Sequence, residues 1–141
     1  AFNVPFGRYK KPYFPEEELY WFAEKAKNAL FVCEHYEETL LKAKAGSVVY
    51  CDPPYAPLSA TANFTAYHTN SFSMDDQRKL ARLAHQLSSE NAVPVLISNH
   101  ETPLTLEWYA EAELHRVSAR RTISSNIALR SKVNELLALY R

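Results

Sequence analysis

The sequence predicts an α/β chain built on a sheet of parallel strands. Strand-like apolar runs alternate with helical patterns as far as Ala112, the order that lays helices against a parallel sheet. The run Ser47-Val48-Val49-Tyr50-Cys51 is apolar and β-branched without polar alternation, as in a strand buried on both faces. It runs into Asp52-Pro53-Pro54-Tyr55. Neither proline can donate to a ladder, so the strand stops and the following residues lie at its carboxyl end. In open α/β sheets that rim is where ligands bind.

Each element has its own signal. Residues 1–15 hold three prolines and a glycine and have no helical period. There Arg8, Lys10 and Lys11 interleave with Tyr9 and Tyr13, and no acid precedes Glu16. That mixture suits phosphate contact with packing on bases or sugars, and equally a solvated leading segment whose aromatics cover a core. Glu16 to about Leu30 predicts an amphipathic helix, with acids in the first turn after Pro15 and Leu19, Phe22, Ala23, Ala26 and Leu30 on one stripe. Leu30 to Cys33 predicts a short buried strand, and Glu37 to about Lys44 a second helix closed by Gly46.

Tyr55 to Ser73 predicts a long loop carrying Phe64, Tyr67 and Phe72, aromatics that favour a lid over a plain linker. Ser73 and Asp76 make a capping-box pair at the head of a helix reaching about Asn91, with Leu80, Leu83, Ala84 and Leu87 as its buried stripe. Val93 to Ser98 predicts the next buried strand, Thr105 to Ala112 a short helix, and Leu114 to about Arg120 a strand. Arg120 to Arg130 is a basic, polar connection, and Val133 to Tyr140 suits helix or strand by periodicity.

Composition narrows the function classes. An apolar content of 47% in 141 residues gives a globular domain with a real core, and the formal net charge of zero means that attraction to nucleic acid must come from local clusters. No apolar run approaches the ~20 residues that span a bilayer, and no secretory pattern opens the chain. A cytoplasmic protein without a membrane partner is expected. Cys33 and Cys51 lie in apolar runs and read as buried reduced thiols. Five scattered histidines show no ligand spacing, so no metal is expected. The only glycines are Gly7 and Gly46, so no Gly-x-Gly loop exists in this chain to cradle a nucleotide-like cofactor.

Asp52-Pro53-Pro54-Tyr55 suits chemistry on an aromatic amine. An exocyclic base amine is a poor nucleophile because its lone pair is delocalised into the ring. The Asp52 carboxylate and the Pro53 carbonyl can each accept one of its N–H bonds, aiming the lone pair out of the plane and stabilising the positive charge that develops. Tyr55 offers a face for base stacking, and the base must first leave the duplex. No covalent intermediate is needed, so Cys51 is read as a strand residue.

This tetrapeptide resembles the catalytic motif of methyltransferases that modify exocyclic amino groups of DNA bases. The chain as a whole resembles the C-terminal half of a Dam-type DNA adenine-N6 methyltransferase. The resemblance is carried by residues 2–15, beginning Phe2-Asn3-Val4-Pro5-Phe6-Gly7-Arg8-Tyr9, by Ala56-Pro57-Leu58-Ser59 and the loop through His68, by Val95-Leu96-Ile97-Ser98-Asn99-His100, by Ile123-Ser124-Ser125-Asn126, and by Glu135-Leu136-Leu137-Ala138-Leu139-Tyr140.

The resemblance implies a Rossmann-like methyltransferase sheet, incomplete here and mostly parallel, with Val133 to Tyr140 as an antiparallel strand. It implies that residues 1–15 end a target-recognition hairpin region and that 16–141 are the C-terminal part of the catalytic domain. S-adenosylmethionine would be the methyl donor, and the acceptor adenine N6 in GATC, flipped out of double-stranded DNA. Asp52, Pro53, Pro54 and Tyr55 would be catalytic, Asp52 facing both adenine and donor and Tyr36 packing near the donor's adenine. Pro5 and Tyr9 would help read the site, with Asn3, Arg8 and Lys10 on the DNA backbone or adjacent groups. Mismatch-repair marking, gene regulation and protection from restriction all use this chemistry.

Two departures stand out. Members of the family carry a Phe-x-Gly-x-Gly donor loop ahead of the recognition region; it is missing here, so the chain is expected to be a fragment with weak or no donor binding and no turnover alone. After Ser124-Ser125-Asn126, Ile127-Ala128-Leu129 replaces a small, glycine-containing run. Two other readings are cytosine-N4 or other amine methylation, disfavoured by Asp at 52 and the basic opening, and a DNA-binding module without catalysis.

Overall fold

The computed structural model describes residues 13–58, 72–120 and 132–141. Asn3, Pro5, Arg8, Tyr9 and Lys10, the middle of the expected lid, and Ile127-Ala128-Leu129 lie outside the described residues. The chain divides into two compact units, Ala1–Cys33 and Glu34–Arg141, each described by itself.

In the first unit, α1 (Glu16–Ala26) starts where Glu16, Glu17 and Glu18 place three carboxylates against the positive end of the helix dipole. The Tyr13 hydroxyl donates to Glu18 at 2.6 Å. The helix ends earlier than expected, its last turn tightening through Asn28 N–H to the Lys25 carbonyl at 3.1 Å. No residue of α1 is buried, and its stripe residues Leu19 and Phe22 are exposed. The buried strand expected at Leu30 to Cys33 does not form. Leu30 is 87% exposed, Cys33 is an exposed free thiol, and no strand among the described residues pairs with this run. Apolar sequence alone does not make a strand without a ladder partner.

In the second unit, α2 (Tyr36–Leu41) is shorter than expected, and Gly46 sits beyond it in the turn before the first strand, at φ +88°. There the Ser47 N–H donates to the Lys44 carbonyl at 2.9 Å. The strands are β1 (Val49–Cys51), β2 (Val95–His100), β3 (Glu113–Arg120) and β4 (Lys132–Tyr140), in the sheet order β1-β2-β4-β3. β1 runs parallel to β2, Tyr50 opposite Leu96, and β4 lies antiparallel to both β2 and β3. The sheet is therefore mixed: the antiparallel C-terminal strand is present, and among the described residues the parallel part is the β1–β2 pair alone.

Among the described residues β1 is an edge strand with one face open, which corrects the expectation of burial on both faces. Val49 and Cys51 pack on the core, while Tyr50 is 62% exposed. The core lies on one face of the sheet. There α3 (Met74–Asn91) sets Leu80, Ala81, Ala84 and Leu87 against Val95, Ile97, Leu136, Ala138 and Tyr140. The expected capping box opens α3: Asp76 N–H donates to Ser73 Oγ at 3.1 Å and Ser73 N–H to Asp76 Oδ2 at 2.7 Å. α4 (Pro103–Trp108) begins two residues before the expected start, because Thr102 caps it through Thr105 and Pro103 takes the first turn.

Candidate active site

Asp52 follows the last residue of β1, and strand alternation puts it on the same side as Tyr50. β2 supplies Ser98 on that side, 2% exposed. The Ser98 hydroxyl donates to Asp52 Oδ1 at 3.0 Å and receives the Tyr50 hydroxyl at 3.1 Å. The carboxylate is thus held from one side while Asp52 itself is exposed.

Asp52, Pro53 and Pro54 form one wall of a cavity of about 420 Å³, which Tyr36, Leu40 and Phe72 help to close. Tyr36 meets Phe72 edge to face, with ring centroids 5.5 Å apart. The Tyr36 hydroxyl is buried without a hydrogen-bond partner, and its pKa is pushed up to about 12, chiefly by burial. The Tyr36 ring thus lines the cavity while its hydroxyl is shut away from it. Burial pushes the Cys51 thiol up to about 11, so the thiolate that a nucleophile would need is scarce at neutral pH.

Tyr55 lies to one side of this cavity. Its ring stands edge-on to His100, with centroids 4.9 Å apart and planes at 86°, and burial raises its pKa. The backbone around it is tied from below: Gln77 Nε2 donates to the Pro54 carbonyl at 2.6 Å, Ala56 N–H donates to Asn99 Oδ1 at 2.8 Å, and His100 Nδ1 lies 2.8 Å from the Ala56 carbonyl.

Of the residues singled out from sequence, Asp52, Pro53, Pro54 and Tyr36 share one cavity, and Tyr55 sits beside it. Ser98, Asn99 and Gln77 were missed as site residues, as was Glu34 on the cavity wall. A signal existed for three of them. Ser98-Asn99-His100 ends an apolar strand in three polar residues, and Gln77 occupies a buried-stripe position three before Leu80.

The described cavity has the size of small-ligand pockets, roughly 300–1,000 Å³, and joins an aromatic pair to a carboxylate. The model of the D12 class N6 adenine-specific DNA methyltransferases matches residues 1–123. The chain is 79% identical to the DNA adenine methylase of Serratia marcescens over 99% of its length and 52% of that protein. Identity to the DNA adenine methylase of Escherichia coli strain K12 is 67%, and to that of Vibrio cholerae strain N16961 59%, each over 99% of the chain and 50% of the relative. The chain spans about half the length of the curated relatives it matches. With the family model covering most of the chain, it belongs to the D12 class of N6 adenine-specific DNA methyltransferases.

Proposed function

We propose that the whole protein is a site-specific DNA methyltransferase that moves a methyl group from S-adenosylmethionine to adenine N6 in GATC, on a Rossmann-like sheet. The carrying observation is Asp52 at the carboxyl end of β1, exposed on the wall of the cavity with its carboxylate held by Ser98. Asp52 and the Pro53 carbonyl accept the two N–H bonds of the amine, and Tyr55 packs on the flipped base. The hydrogen bond from Ser98 orients the carboxylate.

The residues present fit the donor. Tyr36 and Phe72 offer aromatic surface to its adenine, and Asp52 lies where it can meet both donor and acceptor. When bound, S-adenosylmethionine supplies an electrophilic methyl on a sulfonium. The glycine loop expected of the family is not in this sequence, so these residues are one part of the donor site. Residues 1–15 would end the target-recognition region, with Pro5 and Tyr9 helping to read the site and Asn3, Arg8 and Lys10 on the DNA backbone or adjacent groups, and 16–141 would belong to the catalytic domain. The enzyme would act in the cytoplasm on double-stranded DNA.

In the whole protein, Asp52→Ala should lower labelled methyl transfer to a GATC duplex by at least about a hundredfold, with DNA affinity changed by only a few-fold. A duplex with GATC altered should accept no methyl from either form. Transfer retained in Asp52→Ala overturns the mechanism.

A further inference from the structure

Two buried carboxamides hold the backbone on either side of Tyr55. Gln77 on α3 and Asn99 on β2 are both 0% exposed. Asn99 uses its whole side chain: Nδ2 donates to Gln77 Oε1 at 3.1 Å and to the Tyr109 hydroxyl at 2.9 Å, while Oδ1 accepts from the N–H groups of Ala56 at 2.8 Å and His100 at 2.9 Å. Gln77 passes the chain on, its Nε2 donating to the Pro54 carbonyl at 2.6 Å. A run of bonds therefore goes from Tyr109 through Asn99 and Gln77 to the motif, with every carboxamide group partnered.

The geometry of the peptide planes gives this relay a consequence. The Pro54 carbonyl lies in the plane that precedes Tyr55, and the Ala56 N–H lies in the plane that follows it. Gln77 fixes the first plane and Asn99 the second, so together they set φ and ψ of Tyr55 and hence the direction of its ring. The same grip on the Pro54 carbonyl restrains ψ of Pro54, the second proline of the turn. Neither carboxamide needs to touch a substrate to do this.

Resting on the function proposed above, we propose that Gln77 and Asn99 are positioning residues for methyl transfer, aiming Tyr55 and the two-proline turn from beneath. A core role alone would make their loss a matter of stability; a positioning role makes it a matter of rate in the folded enzyme. Misplacing reacting groups by about an ångström costs on the order of a hundredfold.

The test uses the whole protein with Gln77→Met, which keeps size and removes both polar partners, and Gln77→Glu. In single-turnover assays on a GATC duplex, both should be slower by about tenfold to a hundredfold at about pH 8, with DNA and donor affinities within a few-fold of the parent. Gln77→Glu should regain rate relative to Gln77→Met as pH falls toward about 6, because the protonated acid again has an O–H for the Pro54 carbonyl while its other oxygen accepts from Asn99. Rates for the folded variants matching the parent, or a Gln77→Glu rate that tracks Gln77→Met at every pH, overturn the proposal.

Hydrogen exchange at the Ala56 amide reads the relay without turnover: in Gln77→Met it should quicken by about tenfold, with α3 and β2 unchanged. No change there also overturns the proposal. If instead the parent transfers no methyl, the functional reading fails, while the exchange result still decides whether the relay pins the turn.

Discussion

Tyr36 presents its ring to the cavity and keeps its hydroxyl out of it. Buried and unpartnered, the hydroxyl carries a desolvation cost with nothing to offset it. Tyr36→Phe removes that cost, so the ligand-free protein should be as stable as the parent or more stable by about 1 kcal/mol in urea unfolding. Donor affinity measured by calorimetry on the whole protein should stay within a few-fold of the parent, because the ring that lines the cavity is kept. A large fall in donor affinity would instead place the hydroxyl against the donor. Asp52 could be singled out from a recognisable motif and Tyr36 only through the family resemblance, and the structure puts both on one cavity. Ser98 and Gln77 were harder to read. Each acts across a sequence gap, Ser98 on Asp52 and Gln77 on Pro54, and nothing in a linear pattern says which buried polar side chain will face which backbone atom.

At the level of elements, the capped start of α3 combines a hydrogen-bond device with a charge. The Ser73 hydroxyl and backbone hold the Asp76 carboxyl below its usual range. A depressed folded pKa means that the contribution is full above the ordinary aspartate value of about 3.9 and is lost as pH falls through the folded value. Ser73→Ala should cost about 1 kcal/mol at neutral pH, and denaturant unfolding at progressively acid pH should show that difference shrinking. This helix was legible end to end, since its cap and stripe are both local. The exposed run Leu30 to Cys33 and the exposed side of β1 were misread because burial depends on what lies alongside, and an apolar run looks the same with or without a neighbour. Val133 to Tyr140 was undecidable by period; its ladders to β2 and β3 make it a strand.

For the molecule as a whole, apolar surface is prominent. Val48 is 78% exposed beside the edge strand β1, and in the other unit Trp21, Leu30 and Phe31 are each more than half exposed. Edge strands and apolar patches of this kind template association. The 141-residue chain on its own should self-associate with rising concentration in sedimentation velocity and bind a hydrophobic dye. Val48→Lys should reduce both, since a charge at a strand edge opposes pairing.

One turn of α3 has a role beyond the core. Gln77 holds the carbonyl of Pro54, and four residues earlier Ser73 is locked by its own cap. The described residues on either side of the stretch between Tyr55 and Phe72 are therefore both tied to the first turn of α3. Doubling the length of such a span adds only about 0.6 kcal/mol of closure cost. Insertions or deletions in that stretch should therefore leave Asp52, Pro53 and Pro54 where they are.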